Sequence, residues 1–432
     1  MIWNEEIECM EPRSREKLQL ERLRELVAYL NDRSSLYRGR LSSAGVSAGS
    51  VDSLADLKKL PFTRKSDLRD SYPFGMFCVD MKEVREIHAS SGTTGNPTVV
   101  AYTRNDIKLW SEVMARCLTI AGATPDDVVQ NAYGYGLFTG GLGIHYGTLE
   151  LGAAVVPMSS GGTKRQLKLM HDFGSTVITC TPSYALFMAE EAREMGIDPL
   201  KSPVRIGVLG AEPWTEGLRR EIEAAWDMTA LDIYGLSEII GPGVAQECPR
   251  KEGLHIFSDV FLPEVIDPAT GEERPEGEDG ELVITTLTKE AIPLLRYRTG
   301  DIVSITYDRC GCGRTLPRIS KVRGRTDDML IIRGINVFPS QIEAVLLEVE
   351  GAQPHYQLVV ERVKGLDTLE VQVEVDEHVF SDEIRKLQEL RRKIKQEIES
   401  VLALVVEVKL VEPKTIERSM GKARRVIDRR GV

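Results

Sequence analysis

The run Ser90-Ser91-Gly92-Thr93-Thr94-Gly95-Asn96-Pro97-Thr98 carries the strongest chemical signal in the chain. Its hydroxyls and two glycines let backbone N–H and side-chain O–H groups surround phosphate oxygens. No Lys follows the second glycine, so this is not the G-x-x-x-x-G-K-[ST] loop. By itself the same composition also suits a plain surface loop. A second signal is the Gly-rich run from Asn131 to Gly147, which holds Tyr133, Tyr135 and Phe138. Aromatics among small residues suit a flat pocket for an aryl ring, and they suit ordinary core packing as well. Gly210-Ala211-Glu212-Pro213 follows the apolar run VRIGVL, where small residues permit close backbone approach. Cys248, His255, Cys310 and Cys312 together offer three thiols and an imidazole, the donor set of closed structural zinc sites. C-x-C is tighter than the usual C-x2-C, so spacing alone leaves zinc open. Cys9, Cys78, Cys117 and Cys180 lack such company and read as buried small hydrophobes.

These residues need elements to hold them. Residues 14–31 read as an amphipathic helix, with Leu18, Leu23, Leu26 and Leu30 on one face. From about Ile87 to Gly210, strand-like runs (VVQNAYGYG, AAVVPM, STVITC, VRIGVLG) alternate with helical stretches. That alternation predicts βαβ units and a mainly parallel sheet. Residues 267–280 form a polar, turn-rich connection before the strand ELVITTLT. From about residue 325 the pattern changes to short strands around two helices, near 339–349 and 381–401, which predicts a small α+β domain. The net charge of −11 over 432 residues argues against a nucleic-acid coat or a basic membrane-surface protein. Against that background, Lys414 to Arg430 holds seven basic and two acidic residues. No apolar run approaches the roughly 18–20 residues of a spanning helix. The start, MIWNEEIECMEPRSREKL, has no apolar signal core. Seven Cys form no disulfide framework, which points to the reducing cytoplasm.

The Ser/Thr/Gly loop is followed in order by Tyr234-Gly235-Leu236-Ser237-Glu238, Tyr297-Arg298-Thr299-Gly300-Asp301, Gly324-Arg325-Thr326-Asp327-Asp328 and Gly421-Lys422. This order resembles the adenylate-forming enzymes: acyl-CoA synthetases, peptide-synthetase adenylation domains and luciferases. HASSGTTGNPTVVAYT, NAYGYGLFTGGLGIHYG, DIYGLSEIIGPGVAQEC, RYRTGDI and GRTDDMLIIRGINVFPSQIE bring it nearest to the phenylacetate–CoA ligases, over residues 5 to 428. The resemblance implies an α/β fold. A large N-terminal domain, 1–324, has stacked βαβαβ units and a distorted barrel, and a small mobile α+β C-terminal domain spans 325–432.

It also implies ATP-dependent ligation of phenylacetate, or a close aryl acid, to CoA through an acyl-adenylate, with AMP and pyrophosphate released. The alternatives within the superfamily are transfer to a carrier protein, or adenylation of another carboxylate or a deazaflavin coenzyme without CoA transfer. Outside it stands a non-catalytic nucleotide-binding protein. By the same resemblance Ser90, Ser91, Gly92, Thr93, Thr94, Gly95, Gly210, Ala211, Glu212, Asp232, Tyr234, Gly235, Ser237, Asp301 and Arg325 contact the nucleotide. Glu238 holds Mg²⁺, and Tyr234 offers its ring to adenine. Asp301 accepts from the ribose hydroxyls. Tyr133, Tyr135, Phe138, Ile144 and Gly210 line the acid site, where Ile144 replaces the Ala of many relatives. Lys422 stabilises adenylation, with Lys414 as the alternative, and Asp327 is the hinge. Thr98 stands where many relatives carry a Lys. Such ligases are often dimers.

Overall fold

The computed structural model describes residues 1–89, 96–326, 330–333, 335–363, 366–375, 384–402, 404–418 and 425–430. The described chain packs as two units. The first gathers Met1–Cys180, Pro203–Ala211 and Thr229–Lys321; the second gathers Thr181–Ser202, Glu212–Met228 and Val322–Val432.

The first unit contains an antiparallel pair, β1 (Glu86–Ala89) with β2 (Val99–Tyr102). Its main sheet holds β3 (Val128–Asn131), β4 (Ala154–Val156), β5 (Val177–Cys180), β6 (Ile206–Gly210), β7 (Thr229–Leu236), β8 (Gly241–Glu247), β9 (Leu254–Ile256), β13 (Ile305–Thr306) and β14 (Arg318–Ile319). The order is β13-β14-β9-β8-β7-β6-β5-β3-β4. The half from β4 to β7 is parallel, as the alternation of the sequence predicts. From β7 to β13 it is antiparallel. β10 (Phe261–Ile266), β11 (Gly280–Thr286) and β12 (Tyr297–Val303) form a second antiparallel sheet. β5 and β6 are buried along their whole length, as expected of strands covered on both faces. The helix Pro12–Arg33 buries Leu23, Leu26 and Leu30, while Leu18 stays half-buried.

Two helices bring the Gly-rich run against the sheet. Arg104–Ala121 starts at a capping box, with the Thr103 hydroxyl accepting from the Asp106 N–H, and ends at Gly122 with φ +97°. It buries Trp110, Val113, Met114, Cys117 and Leu118. Against it lies Gly140–Leu151. A Cβ at Gly143 would come within 2.6 Å of the Trp110 ring, and one at Gly147 within 2.2 Å of the Met114 Cβ. The glycines of this run therefore let two helices approach closely. Filling either position would overpack the contact, at a cost of about 1–3 kcal/mol.

The second unit contains β15 (Gly324–Arg325), the pair β16 (Leu330–Ile332) with β17 (Ile335–Val337), and a sheet of order β20-β19-β18-β21. The last comprises β18 (Ala352–Val363), β19 (Leu366–Val375), β20 (Glu407–Val411) and β21 (Val426–Asp428). Leu369, Val371, Val373 and Val375 alternate into the core, the period of two that marks a half-buried strand. The helix Ile384–Leu402 adds Leu390, Ile394, Ile398 and Leu402, spaced by four on one face. The helix Pro339–Glu348 carries the buried Glu343, whose carboxylate accepts from the Thr215 N–H and hydroxyl and from Tyr356. Burial lifts the Glu343 pKa, against the pull of Arg425. This acid ties the segment Glu212–Met228 to the C-terminal chain within the unit.

Candidate active site

In open α/β sheets, ligands bind outside the carboxyl ends of the parallel strands. Asn131, Cys180 and Gly210 end β3, β5 and β6 here, and Tyr234 lies near the end of β7. Asn131 organises the first of these ends. Its amide donates to the Tyr135 hydroxyl at 2.8 Å and to the Gly141 carbonyl at 2.7 Å, and its oxygen accepts from Thr179. Tyr133 donates its hydroxyl to the Cys180 carbonyl at 2.6 Å. Burial pushes the Tyr135 pKa up to about 12, so its phenol stays protonated near neutral pH. Phe138 is 44% exposed, with its ring edge 3.0 Å from where a Gly140 Cβ would lie. A Cβ there would also meet the Tyr133 Cβ at 3.6 Å, so both aromatics gather at the start of the helix Gly140–Leu151. Ile144, on the same helix, is fully buried.

Gly210 and Gly235 have no room for a side chain. A Cβ would lie 2.2 Å from the Ile233 carbonyl oxygen in the first case and 2.1 Å from that of Gly241 in the second. Ala211 follows with φ +70°, a left-handed conformation uncommon outside glycine. Asp232 is buried, and its N–H donates to Glu247. Tyr234 donates its hydroxyl to Asp301 Oδ2 at 2.6 Å, joining β7 to β12. A hydrogen bond to a charged acceptor contributes roughly 1.5–3 kcal/mol. It fixes a carboxylate that is almost wholly buried. The Asp301 N–H donates to Thr299 Oγ1, just after Gly300 turns with φ +79°.

Glu238 sits in the tight turn between β7 and β8, where Ile239 and Ile240 both donate to the Leu236 carbonyl. Four side chains distant in sequence hold this turn and its flanks. Lys289 Nζ donates to the carbonyls of Ile239 at 2.8 Å and Glu238 at 3.2 Å. Tyr102 donates to the Ile240 carbonyl and Trp110 to that of Pro242. The Thr139 hydroxyl bonds that of Ser237 at 2.9 Å. Tyr102 and Trp110 stack at 4.9 Å, and Lys289 lies over the Tyr102 ring. Burial drives the Lys289 pKa down to about 8, although Asp106 and Glu238 pull it upward. Glu238 is 5% exposed and faces Lys65, with Nζ 3.4 Å from Oε1.

Glu212 and Arg325 belong to the second unit, where Glu212 accepts from the Ser183 N–H. Ser90, Ser91, Gly92, Thr93, Thr94, Gly95, Asp327 and Lys422 lie outside the described residues. Lys414 pairs with Glu194, and Thr98 is buried. No motif in the sequence marks Lys65, Tyr102, Trp110 or Lys289 as part of the site. Each lies far along the chain from the motif it serves, and only Trp110 and Tyr102 had a local signal, as aromatics beside the Ser/Thr/Gly loop.

Away from this site, the ligating atoms of Cys248, His255, Cys310 and Cys312 all lie within 4.8 Å of one another. The Cys248 and Cys310 sulfurs are 3.8 Å apart, and Cys312 Sγ is 3.4 Å from His255 Nε2. A hydrogen bond from Cys248 holds the Cys312 thiol pKa low, and Cys248 is raised in turn. Burial opposes charge on His255, but hydrogen bonding to Cys310 and Cys312 lifts its pKa.

A family model described as AMP-binding enzyme matches residues 49–288, and one described as AMP-binding enzyme C-terminal domain matches 334–430. The chain is 51% identical to a phenylacetate-coenzyme A ligase of Thermus thermophilus, covering 100% of both chains. It is 46% identical to one of Escherichia coli, over 100% of this chain and 99% of the relative. Among solved structures, a 2-hydroxyisobutyryl-CoA ligase in the postadenylation state with R3-HIB-AMP has a TM-score of 0.94 at 30% identity, covering 100% of this chain and 93% of that one. The same ligase with 2-HIB-AMP and CoA in its thioesterification state has a TM-score of 0.73 at 31% identity, covering 98% and 92%.

Proposed function

The chain belongs to the AMP-binding, adenylate-forming enzymes and within them to the phenylacetate–CoA ligase family, and on that premise we propose that its own acid is phenylacetate or a close aryl acid. It is an ATP-dependent acid–CoA ligase working through an acyl-adenylate. A carboxylate oxygen attacks the α-phosphorus of ATP, and the bond to the β-phosphate breaks to release pyrophosphate. The CoA sulfur then attacks the acyl carbon and AMP leaves.

The first step brings two anions together, so it needs cationic or hydrogen-bonding groups aimed at the developing charge. Glu238 is the carboxylate fitted to hold Mg²⁺, a hard cation that takes oxygen ligands. An Mg²⁺ ion held by Glu238 would supply positive charge against the phosphates. The turn that carries Glu238 is fixed by Lys289, Tyr102 and Trp110, so its carboxylate needs little reorganisation. Lys65 offers a cation beside Glu238. Asp301 accepts from the ribose hydroxyls and is oriented for this by the Tyr234 hydroxyl. Gly210 gives the ligand backbone contact, and Ser90 to Gly95 give the phosphates N–H and O–H donors. Tyr133 and Phe138 face the acid ring. The single observation that carries the assignment of roles is the Tyr234–Asp301 bond beside the anchored Glu238 turn, both at the carboxyl end of β7.

The chain from 325 to 432 acts as the mobile domain, with Asp327 as hinge and Lys422 reaching the carboxylate and α-phosphate in the adenylating arrangement. The reaction belongs in the cytoplasm, where ATP and CoA are both found, and the oligomer is a homodimer by resemblance, to be checked by sedimentation. Among the described residues no helix is long and apolar enough to cross a membrane.

The deciding experiment measures ATP- and CoA-dependent AMP formation across aryl, arylacetic and short aliphatic acids. Phenylacetate or a near relative should give kcat/KM well above acetate, because burying a ring adds about 25 cal/mol per Å² of apolar area. Equal efficiency with both acids refutes the aryl assignment, and an acyl-AMP that accumulates in the presence of CoA refutes the thiol acceptor. Lys422→Ala should slow adenylation by about 10²–10³-fold, the scale of one charge-stabilising donor, and leave thioester formation from pre-made acyl-adenylate nearly intact. Equal slowing of both half-reactions moves the role to Lys414.

A further inference from the structure

We propose that Cys248, His255, Cys310 and Cys312 bind one zinc ion that clamps the antiparallel edge of the main sheet to the N-terminal segment of the chain. The four donors come from three places that the fold brings together. Cys248 directly follows β8, His255 lies in β9, and Cys310 and Cys312 lie in the turn between β13 and β14. A tetrahedral zinc site with Zn–S near 2.3 Å and Zn–N near 2.0 Å puts its ligand atoms roughly 3.5–3.8 Å apart. The observed separations are 3.8 Å between Cys248 Sγ and Cys310 Sγ and 3.4 Å between Cys312 Sγ and His255 Nε2. A disulfide would require about 2.05 Å. The donor set of three thiolates and one imidazole favours zinc over magnesium or calcium, which take oxygen.

The surroundings fit a closed structural site. Cys248, His255 and Cys310 are each nearly or fully buried. The imidazole turns Nε2 toward sulfur, and among the described residues its buried Nδ1 has no hydrogen-bond partner. The Cys310–Arg314 turn is closed by Gly313 N–H to the Cys310 carbonyl and by Cys310 N–H to the Arg314 carbonyl. Gly313 has φ +97°, which only glycine takes readily. The Cys312 N–H points at Cys310 Sγ, 3.5 Å away, and Arg314 Nη1 at Cys312 Sγ, 3.8 Å away. Three thiolates around a divalent ion leave one net negative charge, and Arg314 is the adjacent cation that offsets it.

Arg314 also carries the constraint outward. Its Nε pairs with the buried Glu8 carboxylate at 2.5 Å, and its Nη2 donates to the Met1 carbonyl. Thr315 N–H donates to the Glu8 carbonyl, and Cys9 Sγ to that of Gly313. The ion therefore fixes the turn that holds the first residues of the chain.

The test uses the full-length protein purified without chelator. Elemental analysis should find one zinc per chain, and exchange for Co²⁺ should give the visible bands of a tetrahedral cobalt–thiolate site. Cys310→Ser should lose the zinc, lower the melting temperature and speed amide exchange in residues 1–10. Should that variant fail to fold, the cobalt spectrum of the unaltered protein still decides. A folded protein without metal and with seven titratable thiols overturns the proposal. So does a Cys248–Cys310 disulfide in a non-reducing peptide map, or zinc retained in full by Cys310→Ser. None of these measurements reads the ligase reaction, so they stand or fall apart from it.

Discussion

The two halves of the main sheet handle polar groups in opposite ways. At the carboxyl ends of its parallel strands, protein satisfies protein. Lys289 and Tyr102 cap the carbonyls of the Glu238 turn, Tyr234 holds Asp301, and Asn131 spends both ends of its amide on neighbours. At the antiparallel edge, four ligating groups converge within 4.8 Å of one another, and the buried His255 Nδ1 has no hydrogen-bond partner among the described residues. A region proposed to take up and release ligands every turnover benefits from a frame complete without them. A region that keeps one ion for the life of the fold can leave its frame incomplete. The contrast predicts that changes in the parallel half leave the metal alone, and that changes at Glu238 alter rates, whereas changes at the edge remove metal and lower the melting temperature.

The largest effect that would sharpen this comparison is at Glu238. Glu238→Gln keeps the shape and removes the charge, and it should slow acyl-adenylate formation by about 10²–10³-fold. Zinc content should not move. Pyrophosphate release in single turnover reads the loss, and a drop in zinc of similar proportion would break the separation of the two halves.

Next is a pH signature at Lys289. Its folded pKa of about 8 lies below the ordinary 10.5, because burial disfavours the ammonium. Between those values the unfolded chain binds more protons, so the native state gains stability as pH rises from about 8 toward 10.5 and gains nothing further below 8. The full swing is roughly 3 kcal/mol at 1.36 kcal/mol per pKa unit. Denaturant unfolding of the native protein and Lys289→Met at pH 8 and pH 10 should show their difference moving in favour of the native protein at the higher pH. Parallel pH profiles would mean that Lys289 is not a buried cation.

The smallest effect is at Phe138, whose exposure leaves it little to lose structurally. Phe138→Ala should raise KM for aryl acids by several-fold, about 1–2 kcal/mol of lost ring contact, and leave KM for ATP unchanged. An effect confined to ATP would remove Phe138 from the acid side.

Much of this was legible before any coordinates, and for physical reasons. The runs VVQNAYGYG, STVITC and VRIGVLG hold β3, β5 and β6, the first only as far as Asn131, because buried parallel strands are short, apolar and β-branched. LEVQVEV became β19 through strict alternation. The Tyr234 and Asp301 motifs were visible, but not the hydrogen bond between them, since 67 residues separate the two. Lys289 carried no local mark: a single Lys after a strand is ordinary, and only the fold buries it. The glycines from 140 to 147 suggested a pocket wall, and the structure gives Gly143 and Gly147 a helix contact instead, because small residues serve either purpose. The three thiols and the imidazole were recognisable by type, whereas their adjacency depends on two hairpins whose pairing no local pattern encodes.

The indole of Trp110 touches two places at once. A methyl group at Gly143 or at Gly241 would strike the same ring carbon at 2.6 Å, and Gly241 closes the Glu238 turn. The ring is thus a spacer between the helix Gly140–Leu151, at whose start Tyr133 and Phe138 gather, and the turn that carries Glu238. With the roles proposed for Tyr133, Phe138 and Glu238, substrate range and catalytic rate are mechanically linked. Redesign that widens the acid side by shifting that helix will displace the turn as well, and variants selected for bulkier acids should regain turnover through second changes at Trp110 or Gly241 rather than at the acid side itself.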